Sequence, residues 1–195
     1  MKILIIIDDY MPRSTKVGAK MVHELACEYV KEGHEVTVLT PNPNQKERLV
    51  IEQLDGVTIL NFKSGEIKNV NKVKRAINET LLSFNAWIAT KDYFKKHKFD
   101  YIIYYSPTIF FGPLVKRLKK LWGVKSYLIL RDIFPQWAVD QGLIKKGSLI
   151  ERYFKYFEKI NYDAADTIGV MSKKNLEWFK EHASKLLQKK LDISI

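Results

Sequence analysis

The chain has 195 residues, with 33 Lys+Arg against 22 Asp+Glu and a formal net charge of +11. Hydrophobic residues at 46% and charged residues at 28% lie near globular averages, which excludes disordered, collagen-like and low-complexity architectures. A single cysteine, Cys27, excludes an internal disulfide framework and a multi-cysteine zinc site.

The first element is Ile3-Leu4-Ile5-Ile6-Ile7, a continuous apolar run that fits a strand buried on both faces of a parallel sheet. Asp8-Asp9 follows at once, so the run is too short for a secretory signal, and it lacks a small-residue cleavage site. No stretch reaches the roughly 18 apolar residues that a spanning helix needs. A soluble protein of a reducing compartment is the default expectation. Residues 16–32 predict a helix with Val17, Met21, Val22, Leu25, Ala26 and Tyr29 on its inward face and Cys27 as a small core residue. Gly33-His34 ends that helix, and Val36-Thr37-Val38-Leu39-Thr40 forms the second strand, stopped by Pro41 and Pro43.

Strand, helix, Gly turn and strand make a βαβ unit with a right-handed crossover. A third strand is predicted over 57–62. A long helical segment follows, with Val70, Val73, Ile77, Leu81, Phe84 and Ile88 stepping by three or four into one apolar stripe. Strands at 101–105, 126–130 and 167–171 alternate with helices at 107–120 and 149–160, and Ser172 caps a last helix to Glu181. Six strands alternating with helices predict a doubly wound α/β domain with a parallel sheet. The tail from His182 to Ile195 is Lys/Leu-rich and receives no element.

In open α/β sheets, ligands bind outside the carboxyl ends of the strands. The first such loop, Asp8 to Lys20, contains Arg13, Ser14, Thr15, Lys16 and Gly18-Ala19. Small residues and a helix N-terminus suit a phosphate; equally, Gly18 serves to relax a strand-to-helix turn. Neither G-x-G-x-x-G nor G-x-x-x-x-G-K-[ST] is present, which excludes a dinucleotide fingerprint and a P-loop. Arg131-Asp132 follows the fifth predicted strand. Asp132 suits an acceptor hydroxyl, as orienter or base, and Arg131 a phosphate; the competing reading is an ion pair or a helix cap at Asp132. Trp137 suits stacking on a sugar or filling a hydrophobic joint. Ser106 and Thr108 suit sugar or phosphate contacts, or a cap of the next helix. His23, His34, His97 and His182 show no metal-ligand spacing, and His34 belongs to the Gly-His-Glu turn.

Three stretches together resemble a known family. They are Lys2-Ile3-Leu4-Ile5-Ile6 through Tyr10-Met11-Pro12, Gly18-Ala19, Leu25-Ala26 and Gly33-His34-Glu35-Val36-Thr37-Val38-Leu39-Thr40; then Asp132-Ile133-Phe134-Pro135; then Ala165-Asp166-Thr167-Ile168-Gly169-Val170-Met171-Ser172. In order and spacing, over residues 1 to about 180, the chain resembles the N-terminal domain of family 4 glycosyltransferases with the GT-B fold. Within that family it is most similar to bacterial transferases of O-antigen, colanic acid and capsule synthesis that handle amino sugars such as N-acetylfucosamine. The resemblance implies a Rossmann-like domain, one half of a GT-B fold, over 1–181. It implies sugar transfer from a nucleotide-sugar to a lipid-linked acceptor, with retention, without a metal and without another cofactor. It assigns the loop with Arg13, Gly18 and Ala19 to the donor phosphate and coincides with the strand position of Arg131 and Asp132 on the acceptor side; Trp137, Ser106 and Thr108 are acceptor or phosphate candidates by their place at the same edge. The family's Gly-Gly pair is here Gly18-Ala19, and the family's frequent His near the reaction centre is replaced by Arg131-Asp132. The family also has a donor-binding C-terminal domain that carries an E-x7-E motif, and this chain is expected to lack that domain. The expectation is a truncated, split or frameshifted end after Glu181, with the missing domain supplied by another polypeptide or lost, and a chain inactive by itself. A non-catalytic sugar- or phosphate-binding fragment is the alternative.

The positive charge is concentrated. Residues 62–125 hold fourteen Lys/Arg against four Asp/Glu, a difference of +10. Lys72, Arg75, Lys95, Lys96, Arg117 and Lys120 flank aromatic and apolar positions, a pattern that fits docking on an anionic bilayer at the inner face of the cytoplasmic membrane. The plain alternative is a solvated helix face. Nucleic acid is not expected as a partner, because no helix-turn-helix, RNP, KH or zinc-finger signature occurs.

Overall fold

The structure, a computed structural model, describes residues 1–67, 70–182, 185–188 and 190–193. In chain order the elements are β1 (Lys2–Ile6), α1 (Val17–Lys31), β2 (Glu35–Asn42), β3 (Leu49–Leu54), β4 (Val57–Lys63), α2 (Lys72–Thr80), α3 (Leu82–Lys96), β5 (Tyr101–Ser106), α4 (Gly112–Trp122), β6 (Lys125–Leu130), α5 (Gln136–Asp140), α6 (Leu149–Ala164), β7 (Thr167–Val170), α7 (Lys173–His182), α8 (Lys185–Gln188) and β8 (Leu191–Ile193). Among the described residues the strands form one sheet of order β3-β4-β2-β1-β5-β6-β7-β8. Every pairing is parallel except the β3–β4 hairpin. The six predicted strands are β1, β2, β4, β5, β6 and β7, and the doubly wound α/β reading holds.

Two strands escaped the sequence reading. β3 pairs with β4 through a two-residue turn, Asp55-Gly56, with φ of +49° and +79°. Asp-Gly is a strong hairpin signal, but the Leu49–Leu54 run is mostly exposed and shows little alternation. β8 lies in the tail and pairs with β7 through Ile168–Leu191, Gly169–Asp192 and Val170–Ile193. The Lys/Leu-rich tail thus extends the sheet at its edge. Pro41, expected to end the second strand, lies inside β2 opposite Phe62. Its nitrogen has the same orientation as that of Leu39, toward β1, and the last β1 pair is Ile6–Leu39, so no ladder donor is lost there.

The sheet divides the core. On one face Leu4, Ile6, Leu39, Phe62, Ile102 and Leu128 pack under α3, α4, α6 and α7, which contribute Phe94, Leu118, Trp122, Tyr162 and Phe179. On the other face Ile3, Ile5, Val38, Ile59 and Ile103 pack against Val22 and Ala26 of α1. Each fully buried side chain of this size contributes about 1.5–3 kcal/mol by leaving water.

Three helix readings change. In α1 the buried positions are Ala19, Val22, His23 and Ala26, whereas Val17 and Met21 are exposed and Cys27 is half-buried. The long helical segment is two helices meeting at Leu81, which is C-cap of α2 and N-cap of α3. Its apolar stripe faces outward: Val73, Ile77 and Phe84 are 71%, 56% and 60% exposed, and Leu81 and Ile88 are exposed as well. The inward side of α3 is Leu82, Ser83, Ala86, Thr90 and Phe94. Its small residues let the helix lie close, and Ser83 locks it to the next element: its Oγ donates to the Phe110 carbonyl at 2.5 Å and accepts from Leu114 N–H at 3.2 Å. Finally, α4 begins at Gly112 rather than Pro107, because Ile109, Phe110 and Phe111 turn inward as part of the core.

Candidate functional site

The sheet order places the topological switch between β1 and β5. From β1 the chain runs outward to β2 and β4, then returns across α2 and α3 to β5 on the other side. The loops leaving β1 and β5 therefore diverge and open a crevice at the carboxyl edge. β6 lies beside β5, so Arg131-Asp132 enters the same crevice.

At its centre is Tyr105, near the end of β5. A Cβ on Gly18 would lie 2.9 Å from the Tyr105 hydroxyl oxygen, so glycine at this point of α1 admits the phenol. The Arg131 guanidinium, Asp8 and Asp132 are all close enough to that hydroxyl to act on it electrostatically. Burial dominates and pushes the Tyr105 hydroxyl above its ordinary range, Asp8 and Asp132 add to this, and Arg131 opposes it. Arg131 also reaches Met21 Sδ at 3.5 Å, and its backbone N–H donates to the Ser106 carbonyl. The crevice thus joins a guanidinium, a neutral phenol and carboxylates within one cluster. The N-terminus of α1 adds its positive end: the N-cap residue Lys16 makes no side-chain cap bond.

The expected site residues divide. Gly18, Arg131 and Asp132 come together around Tyr105, a residue the sequence reading passed over as one more aromatic in a strand. Asp132 is exposed and caps nothing: the N-cap of α5 is Pro135. Trp137 is 42% exposed and touches Phe134, so the buried-joint alternative is not what the fold shows. Ser106 and Thr108 are buried and do not cap α4, whose N-cap is Phe111. Thr108 Oγ1 accepts from Phe110 N–H, while Ser106 Oγ has no hydrogen-bond partner among the described residues. Thr40 and Ser64, toward the carboxyl ends of β2 and β4, carry buried hydroxyls in the same condition. Buried hydroxyls without partners are uncommon in folded proteins, and here they gather along the edge where ligands bind.

Arg13 is engaged elsewhere. Its guanidinium pairs with Glu52 at 3.1 Å and donates to Asn61 Oδ1, so it ties the loop to β3 and β4. A donor phosphate would have to displace Glu52 to reach it. Ala19 is buried. Ser14 closes the loop internally, donating to Asp9 Oδ2 at 2.7 Å and accepting from Lys16 N–H.

Of the basic candidates, Arg75 pairs with Glu79, Lys95 pairs with Asp92, Arg117 lies 4.0 Å over the Trp87 ring, and Lys96 and Lys120 are exposed. The side chains of Lys72 and Lys68 lie outside the described residues. No helix among the described residues is long and apolar enough to cross a membrane.

The model of Glycosyltransferase Family 4 matches residues 18–185. The chain belongs to this family. Among curated proteins no relative matches the sequence. The fold is similar to that of sucrose-phosphate synthase from Thermosynechococcus elongatus, with TM-score 0.72 and 12% identity over 98% of this chain and 47% of that one. It is also similar to UGT2 of Phytolacca americana in complex with UDP-2fluoro-glucose and pterostilbene (TM-score 0.61, 11% identity, 97% and 52% covered). A third is α,α-trehalose 6-phosphate synthase from Burkholderia multivorans (TM-score 0.54, 10% identity, 95% and 42% covered). These are GT-B glycosyltransferases, and the fold of this family 4 chain is that of their N-terminal Rossmann-like domain. The chain spans about half the length of each.

Proposed function

We propose that this chain is the acceptor-side domain of a retaining transferase that moves a sugar from a nucleotide-sugar to a lipid-linked acceptor at an anionic membrane face, in bacterial surface-polysaccharide synthesis. The observation that carries the acceptor reading is the meeting of Arg131, Tyr105, Gly18 and Asp132 at the switch point. In this reading Arg131 holds an acceptor pyrophosphate, Asp132 orients the acceptor hydroxyl or takes its proton, and Tyr105 donates a hydrogen bond. Departure of a nucleoside diphosphate needs its developing negative charge stabilised in the transition state. The α1 N-terminus supplies part of that stabilisation, and a donor-binding domain supplies the rest.

The membrane reading is supported by the outward stripe of α2 and α3. Phe84, Ile88, Lys91 and Lys95 recur at helical spacing along α3, so apolar anchors give way to cations along one line. Both helices lie within residues 62–125, the span that holds fourteen Lys/Arg against four Asp/Glu, a charge that complements an anionic bilayer.

Two binding measurements on the full chain test the proposal. A polyprenyl-pyrophosphoryl N-acetylhexosamine in detergent should bind, and Arg131→Ala should weaken binding at least about tenfold, the loss of one charge-assisted contact. Equal binding by wild type and Arg131→Ala overturns the acceptor site. Vesicles of phosphatidylcholine with phosphatidylglycerol should retain the chain at low salt, and vesicles of phosphatidylcholine alone should not. Retention by duplex DNA but not by anionic vesicles overturns the membrane assignment.

A further inference from the structure

His23 and Cys27 stand one helical turn apart on α1, and the β3–β4 turn brings Asp55 against them. His23 Nε2 is 3.0 Å from Asp55 Oδ2 and 3.6 Å from Cys27 Sγ, and one donor atom of each residue lies within 4.8 Å of the others. We propose that His23, Cys27 and Asp55 form a zinc-class metal site that fastens α1 to the β3–β4 hairpin.

The donor set and its spacing carry the assignment. Thiolate, imidazole and carboxylate are the zinc ligand types, and three of them leave a fourth tetrahedral position for water. Zinc–sulfur and zinc–nitrogen bonds of about 2.3 and 2.0 Å at a tetrahedral angle put the two ligand atoms about 3.5 Å apart, which is close to the 3.6 Å between Cys27 Sγ and His23 Nε2. The imidazole is already oriented from behind. The Tyr10 hydroxyl lies 2.8 Å from His23 Nδ1, and the two rings meet edge to face. With the metal on Nε2, the ring proton sits on Nδ1 and is donated to the Tyr10 oxygen, which takes the orienting role that a carboxylate, carbonyl or water plays behind other metal-bound histidines. His23 is buried, Cys27 half-buried and Asp55 exposed, so the ion has an entry path from the hairpin side.

Binding would release the Cys27 proton. Because that proton must leave before the sulfur can bind, affinity should increase with pH. The site lies apart from the crevice: Asp55 precedes β4 at the amino edge of the sheet. Tyr10 nonetheless links it to the β1–α1 loop, where the Tyr10 carbonyl accepts from Ser14 N–H. The metal would brace the loop that carries the crevice without entering the chemistry.

Cys27 is the only cysteine in the chain, so sulfur-specific probes report this site alone. The chelator-stripped full chain is titrated with Zn(II) and with Co(II). The expected result is one-to-one binding, a near-ultraviolet thiolate-to-cobalt charge-transfer band, and protection of Cys27 from iodoacetamide by Zn(II). Asp55→Asn, an exposed turn substitution, should weaken binding by about 10- to 100-fold, and Cys27→Ser should abolish the band. The proposal is overturned if wild type shows neither band nor protection. It is equally overturned if Asp55→Asn binds as tightly as wild type, which would indicate an adventitious His–Cys surface site.

Discussion

α4 and the α2–α3 segment have similar apolar spacing and opposite fates. In α4, Leu114, Val115, Leu118 and Trp122 are buried between the sheet and its neighbours. In α2 and α3, Val73, Ile77, Leu81, Phe84 and Ile88 follow an equally regular helical repeat and face outward. The difference lies on the other side of the helix. α3 offers the sheet a second set, Leu82, Ala86 and Phe94, whose smaller members permit closer contact, and Ser83 anchors that choice with two hydrogen bonds to the segment leading into α4. Periodicity identifies an apolar face, and packing decides which face is used.

The comparison is broken most severely by Leu118→Ala. This fully buried side chain lies in the larger core cluster, and the substitution should cost about 2–5 kcal/mol in urea unfolding. Next is Ser83→Ala, which strands the Phe110 carbonyl and the Leu114 N–H in the interior. A loss of about 1–3 kcal/mol is expected by the same measurement, and a loss under the error would mean that α3 is seated by packing alone.

Glu158 on α6 sharpens the comparison by pH. Burial pushes its carboxyl up to about 7, against the opposing effects of the Tyr162 hydroxyl and Lys155. The folded value lies above the ordinary 4.5, so between 4.5 and about 7 the native state binds the extra proton. Stability should therefore fall as pH rises through that window. Glu158→Gln should flatten the fall and raise the unfolding free energy at pH 8, measured in urea, by about 1–2 kcal/mol.

The smallest effect on stability belongs to the outward stripe. Ile77→Ser with Phe84→Ser should change unfolding by about 0.5 kcal/mol or less, as exposed substitutions do. The same pair should abolish retention on anionic vesicles. A large loss of stability with unchanged vesicle binding would make the stripe a structural element after all.

Much of the candidate site was legible because it follows from topology. Strands ending in loops at one edge put Gly18, Arg131 and Asp132 near each other once the βαβ order was read. Tyr105 was not legible: a tyrosine in a strand gives no sign that a glycine on another element makes room for its hydroxyl. The partners of Arg13 were not legible for the converse reason, since Glu52 and Asn61 belong to a hairpin whose first strand leaves little trace in the sequence. The Ser106 and Thr108 caps failed because the next helix starts several residues later than its composition suggested.

The sequence by itself determined the alternation of strands and helices, the parallel sheet and the ends at which ligands bind, because these depend on runs and periods within one segment. Only the tertiary structure decided that the α2–α3 stripe faces out, that the tail joins the sheet as β8, and that His23, Cys27 and Asp55 share a corner. Each of those outcomes depends on what a distant segment leaves exposed or unpaired, and local hydrophobicity carries no record of distant neighbours.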